Sequence, residues 1–165
     1  MIHLYGDVIP ANLAAFNVNP CCLCLIIVEM IINALKLQEI GATLTFTDTA
    51  EIGAWAKNAV AQAVQAGIVK GNKDGSFRPN AEVTRAEMAV MLANALGQSS
   101  NANVVTSFAD DKDIPVWAKD SVTFVKKAGI VQGKSANQFA PQDRATRAEA
   151  VTVLLKLLEQ QKQNK

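Results

Sequence analysis

The sequence predicts an all-α protein in which tandem helix–loop–helix repeats pack around a shared helical bundle. Three observations carry this prediction. The first is an ungapped internal repeat: Phe46, Asp48, Trp55 and Ala56 recur 62 residues later as Phe108, Asp110, Trp117 and Ala118. Ala66-Gly67-Ile68-Val69 returns as Ala128-Gly129-Ile130-Val131, Gly71 as Gly133, and Phe77 and Pro79 as Phe139 and Pro141. A fixed period of this kind marks one supersecondary unit copied in tandem, each copy too small to bury its apolar face alone. The second observation is apolar residues at helical spacing followed by a glycine. The third is the run Thr84-Arg85-Ala86-Glu87, repeated as Thr146-Arg147-Ala148-Glu149, which fits a capping box at the start of a helix.

Each element follows from these signals. In the first complete copy, residues 46–97, Trp55, Ala59, Val60, Ala63 and Val64 fall on one helical face, and Gly67 stands where a helix would stop. A glycine-bounded loop containing Asp74-Gly75-Ser76-Phe77 leads to a second helix with the stripe Met88, Met91, Leu92, Ala95 and Leu96. Residues 98–107 read as a polar linker. The second copy, residues 108–158, repeats the plan: Trp117, Val122, Phe124 and Val125 lie on the first helix, with Asp113 and Pro115 at its start. Gly129 ends it, and Val151, Leu154, Leu157 and Leu158 line the next. Residues 159–165 read as a flexible tail. Residues 1–45 read as a degenerate or truncated first repeat behind an uncertain leader. Met30–Leu35 before Phe46 resembles Met91–Leu96 before Phe108, so residues 29–37 look like the end of a preceding second helix. Where a capping box would stand, the chain reads Pro20-Cys21-Cys22-Leu23-Cys24-Leu25.

Composition excludes several functions. Net charge is +1 overall, and no segment carries the basic excess needed for nucleic acid or an anionic membrane. The apolar run Cys21–Val28 is broken by Glu29, too short for membrane insertion. The first charged residue is Asp7, so no basic signal-peptide region is visible, and export would require a signal outside this stretch. The three cysteines cluster at Cys21, Cys22 and Cys24 with no second Cys/His group to complete a zinc site. Placing Gly75 at the sixth position of a calcium loop puts Lys70 and Ala81 where acids are required. His3 is the single histidine, and no nucleophile–base set can be assembled. No metal, cofactor or catalytic residue is expected.

The ordered set Phe-x-Asp, Trp-Ala, Ala-Gly-Ile-x-x-Gly, Phe-x-Pro and Thr-Arg-Ala-Glu, present twice, resembles the S-layer homology repeat of bacterial cell-surface proteins. That resemblance implies an all-helical module, typically of three repeats about a pseudo-threefold axis, in an extracellular, cell-wall location. It implies non-catalytic attachment to a secondary cell-wall polymer linked to peptidoglycan, often bearing pyruvylated amino sugars. Ligand grooves then use the motif arginine of one copy and the tryptophan of the next, here Arg85 with Trp117. The first copy departs from the pattern by lacking its arginine, which bears on any groove using Trp55.

The residues themselves support two readings. A cation in a helix's first turn opposes the macrodipole, so Arg85 and Arg147 call for an anion, either a ligand carboxylate or an internal acid. Trp55 and Trp117 suit packing or stacking on a sugar face. Asp48 and Asp110 suit turns or caps, with ligand contact as the alternative. Gly71 and Gly133 meet backbone needs, and the amides beside them could line a groove. The expected ligand-binding residues are Arg85, Trp117, Arg147, Trp55, Gly71 and Gly133. The competing reading is a protein-interaction module that forms a homo-oligomer through the incomplete first repeat.

Overall fold

Five α-helices and three short 3-10 turns make up the described parts of the chain, with no strand among them: α1 (Leu23–Leu35), α2 (Lys57–Gln65), α3 (Arg85–Ala95), α4 (Val116–Lys127) and α5 (Arg147–Gln163). The structure, a computed structural model, describes residues 23–37, 43–98 and 105–163. Residues 1–22 and 38–42 of the segment read as a degenerate first repeat with its leader, residues 99–104 of the linker and the last two residues of the tail lie outside the described residues.

The helices end where the glycines stand. After α2, the Ile68 amide donates to the Ala63 carbonyl and the Gly67 amide to Val64, with Gly67 at φ 70°. The same pair of bonds closes α4 at Gly129 (φ 71°) and α3 at Gly97 (φ 72°). This is the Schellman arrangement, which needs a left-handed residue that glycine supplies without strain. The helices begin less uniformly. A complete capping box opens α3: the Thr84 hydroxyl accepts from the Glu87 amide, and the Glu87 carboxylate accepts from the Thr84 amide. The corresponding bonds join Thr146 and Glu149 at the start of α5. Both tryptophans were expected to start helices, yet only Trp117 lies inside one. Pro115, with φ already at −57°, precedes α4 and lets it begin at Val116. Gly53 holds the matching place in the first copy, and Trp55 remains in the turn before Lys57. At its other end α5 continues to Gln163, past Leu158 where the sequence placed a flexible tail.

The chain divides into two compact units, Met1–Glu82 and Val83–Lys165, so the division falls inside the first sequence copy. In the first unit α1 packs against α2. Leu23–Val28 of the apolar run belong to α1 and extend it upstream of the residues expected; Leu25, Ile27 and Val28 are buried, as is Ile31 further along the helix. Ile52, Ala56, Val60, Ala63 and Ile68 are buried in the same unit. In the second unit α3 packs against α4. Its buried side chains include Met88, Leu92, Ile114, Val122, Val125, Phe139, Leu154 and Leu157. Each unit thus pairs the second helix of one copy with the first helix of the next.

Candidate functional site

Each loop between the two helices of a copy is pinned by an aspartate. Asp110 accepts from the amides of Phe139 and Ala140, both at 2.7 Å. Asp48 does the same for Phe77 at 2.8 Å and Arg78 at 2.7 Å. Burial would raise the Asp48 carboxyl, but these amides hold it below the ordinary aspartate value. The clamp also sets the aromatic pairs: Phe46 with Phe77 and Phe108 with Phe139, ring centroids 5.3 Å apart in both. The aspartates are therefore loop clamps, the turn-type role rather than a free acid. Ala140 adopts φ 54° and Arg78 φ 60°, held there by the clamp.

The second unit brings Arg85 to this loop. Its side chain is buried, only 4% exposed, along the face of the Phe139 ring. Nε donates to the Phe139 carbonyl at 2.7 Å, Nη2 to the Gln132 carbonyl at 3.3 Å, and Nη1 to the Glu149 carboxylate. Lys134 stands beside the same carboxylate at 3.8 Å and donates to Asp143 at 2.7 Å. Burial would raise the Glu149 carboxyl, but the Thr146 amide, Arg85, the Thr146 hydroxyl and Lys134 together hold it below its usual value. The cluster balances two positive and two negative charges. Arg85 thus finds its anion inside the protein, and holds the segment Gln132-Gly133-Lys134 in place.

Arg147, at the same place in the same motif, is exposed, and its side chain makes no hydrogen bond or ion pair with any described residue. Trp117 is 60% exposed at the start of α4, and its indole makes no hydrogen bond or ring contact with a described residue. Trp55 is 37% exposed, because a Cβ at Gly53 would lie 2.6 Å from its Nε1: the indole lies down on the bare glycine. Pro115 stands at the equivalent position of the second copy, and Trp117 is the more exposed of the two indoles. Gly71 has φ 73°, and a Cβ there would sit 2.5 Å from Phe46 Cε1, so both conformation and close approach require glycine. At Gly133 a Cβ would lie 3.1 Å from Asn137 backbone atoms, a tight contact that a shift of a few tenths of an ångström would relieve. Trp55 and Gly71 belong to the first unit; Arg85, Trp117, Gly133 and Arg147 belong to the second.

Sequence reasoning missed Lys134 and Lys126. The latter lies 3.5 Å above the Phe108 ring and donates to the Ser107 carbonyl at 3.1 Å. Neither lysine has a counterpart in the first copy, where Asn72 and Val64 stand, so repetition could not flag them. No group of three or more metal-ligating side chains occurs among the described residues, and none of the described helices is long and apolar enough to cross a membrane.

Paired helical copies, capping boxes and clamped loops in this order define a tandem helical repeat module. The chain belongs to the S-layer homology domain family, whose profile matches residues 45–89 and 107–151, more than half of the chain. It is similar to the exoglucanase XynX of Acetivibrio thermocellus, 41% identical over 79% of this chain and 12% of that protein. An amylopullulanase of Thermoanaerobacterium thermosulfurigenes is 39% identical over 79% of the chain and 7% of the relative. A surface-layer 125 kDa protein of Lysinibacillus sphaericus is 33% identical over 76% and 10% respectively. The chain thus spans about a tenth of the length of these relatives. It carries a cell-surface anchoring module associated with the cell wall.

Proposed function

We propose that this module binds a secondary cell-wall polymer attached to peptidoglycan, and that an acidic, pyruvylated sugar is the group recognised. The observation that carries this reading is the exposed, unpartnered indole of Trp117 in the same unit as the Arg85–Gln132–Lys134 cluster. An indole face offers an apolar surface for a sugar ring while its N–H remains free for a polar contact. Because Arg85 is already neutralised by Glu149, it acts by fixing the loop whose Gly133 backbone would face the ligand. Arg147, exposed at the first turn of α5, contributes free positive charge to the acidic substituent. Trp55 and Gly71 would serve a second, weaker site in the first unit, which lacks a motif arginine on α1. One shallow site binds modestly, so retention on the wall depends on several sites acting together.

Co-sedimentation with purified cell-wall sacculi tests this. The chain is expected to pellet with intact sacculi and to stay in solution once the polymer has been stripped with acid. Trp117→Ala is expected to weaken pelleting by about tenfold, equivalent to about 1.4 kcal/mol. Equal retention on stripped sacculi, or no effect of Trp117→Ala, would overturn the reading.

A further inference from the structure

The last helix leaves bare a face that its two counterparts cover. In α3 the positions Arg85, Ala86, Ala89 and Ala93 are all buried, Ala89 and Ala93 completely, and α4 packs against that helix. By the alignment of Met30–Leu35 on Met91–Leu96, α1 presents Leu25, Val28 and Ile32 at these positions. They too are buried, in a helix packed against α2. In α5 the same positions are Arg147, Ala148, Val151 and Leu155. All are exposed, Val151 by 45% and Leu155 by 41%. On the other side of α5, Ala150, Val153, Leu154 and Leu157 are buried, and at the matching places of α3 Met88, Met91 and Leu92 are buried too. The apolar residues of this face are therefore not general surface residues, but a packing face without a cover among the described residues.

The face has a pattern that matches itself. Arg147, Val151, Leu155 and Glu159 stand four residues apart along one ridge, and all four are exposed. Two such ridges, brought together antiparallel and centred at the level of Val153, set Arg147 of each helix opposite Glu159 of the other. Val151 then meets Leu155 twice. Both charges oppose the dipole of their own helix, a cation at the amino end and an anion towards the carboxyl end. In the antiparallel pair each lies beside the pole of the other helix that favours it. Neither Arg147 nor Glu159 makes an ion pair with any described residue.

We propose that α5 is a self-association surface, and that its occupant is the α5 helix of a second copy of this chain in a two-fold, antiparallel contact. A surface of one helix face is small, so the contact is weak in solution and gains weight where many copies are concentrated on a wall. This places self-association on the last helix. The incomplete first repeat, where the sequence suggested it, buries the apolar face of α1 against α2. The proposal shares Arg147 with the polymer site, but Glu159 belongs to no residue set proposed for the polymer, so Glu159→Arg is the variant that tells the two apart.

Sedimentation velocity of the full chain over a wide concentration range tests it, with Glu159→Arg and Arg147→Glu as variants. The wild type is expected to show reversible dimerisation that weakens as salt rises. Each variant sets like charges against each other at both ends of the contact, and is expected to weaken dimerisation at least about tenfold. An equimolar mixture of the two variants restores opposite charges at both ends, and is expected to recover association. A wild type that stays monomeric at about millimolar concentration, variants that associate as the wild type does, or a mixture no better than its components would each overturn the proposal. Glu159→Arg that dimerises poorly yet still pellets with sacculi separates this surface from polymer binding.

Discussion

Arg85 and Arg147 occupy the same position of the same motif, the first residue of the same kind of helix, and they live in opposite surroundings. Arg85 is enclosed by Phe139, Gln132 and Glu149, all supplied by the copy that follows it. Arg147 meets no such group among the described residues, and it is exposed. The motif therefore does not determine the fate of its arginine; the neighbouring copy does. A repeat protein distributes its stability over such neighbour contacts, so equal residues in unequal places carry unequal weight.

Replacing the two arginines is the sharpest way to break that comparison. Arg85→Leu strands Glu149 and two carbonyls in a partly buried cluster, and is expected to cost about 3–5 kcal/mol. Arg147→Leu is expected to change stability by less than about 0.5 kcal/mol. Urea denaturation followed by circular dichroism measures both, and equal costs would dissolve the distinction. The aspartate clamps come next and sharpen it from the other side, since they are alike in both copies. Asp48→Ala and Asp110→Ala each free two loop amides and are each expected to cost about 2–3 kcal/mol. A large difference between them would mean that the clamps also depend on the neighbouring copy.

The glycines predict a smaller asymmetry. Gly71→Ala must hold a Cβ at φ 73° against the Phe46 ring, and is expected to cost about 1–2 kcal/mol. Gly133 carries no positive φ, so Gly133→Ala is expected to cost less than Gly71→Ala in the same urea assay, whatever its effect on the polymer. Acid gives the smallest effect near neutrality. Asp111 is held down to about 2, chiefly by Lys119 and Thr106, Asp143 is lowered by Lys134, and Glu149 is lowered too. Depressed carboxyls contribute stability above their unfolded values near 4, and lose it as pH falls through the folded ones. Glu29 on α1 is raised by burial and has the opposite sign, since protonation relieves its penalty as pH falls. The first unit holds depressed carboxyls as well, Asp74 through Ser76 and Asp48 through the loop amides, so α1–α2 and α3–α4 are both expected to lose amide-exchange protection as pH falls below about 4, and loss confined to one unit would overturn this.

Most of the fold could be read from the sequence because its signals are local. A glycine after an apolar stripe and a threonine three residues before a glutamate act within one turn, and every such signal produced the expected helix end. The helix-start difference was also written locally, in Pro115 against Gly53, but repetition drew the eye to what the copies share. The site was harder to read because its deciding contact spans 64 residues. Glu149 looked fully occupied by capping, yet a carboxylate has two oxygens: one caps the helix and the other receives Arg85. The cation's need for an anion was visible, and only the folded loop could choose the internal acid.

The boundary between compact units cuts the first copy between its two helices, after Glu82. Inheritance and folding are therefore half a period out of step. A gene that gains or loses one whole copy removes a cover and the face it covered together, and the junction left behind is one the array already contains. A fragment trimmed neatly to residues 46–97 does the reverse: it separates α2 from α1 and α3 from α4, keeping the motif whole while dissolving every helix pair that the motif exists to make.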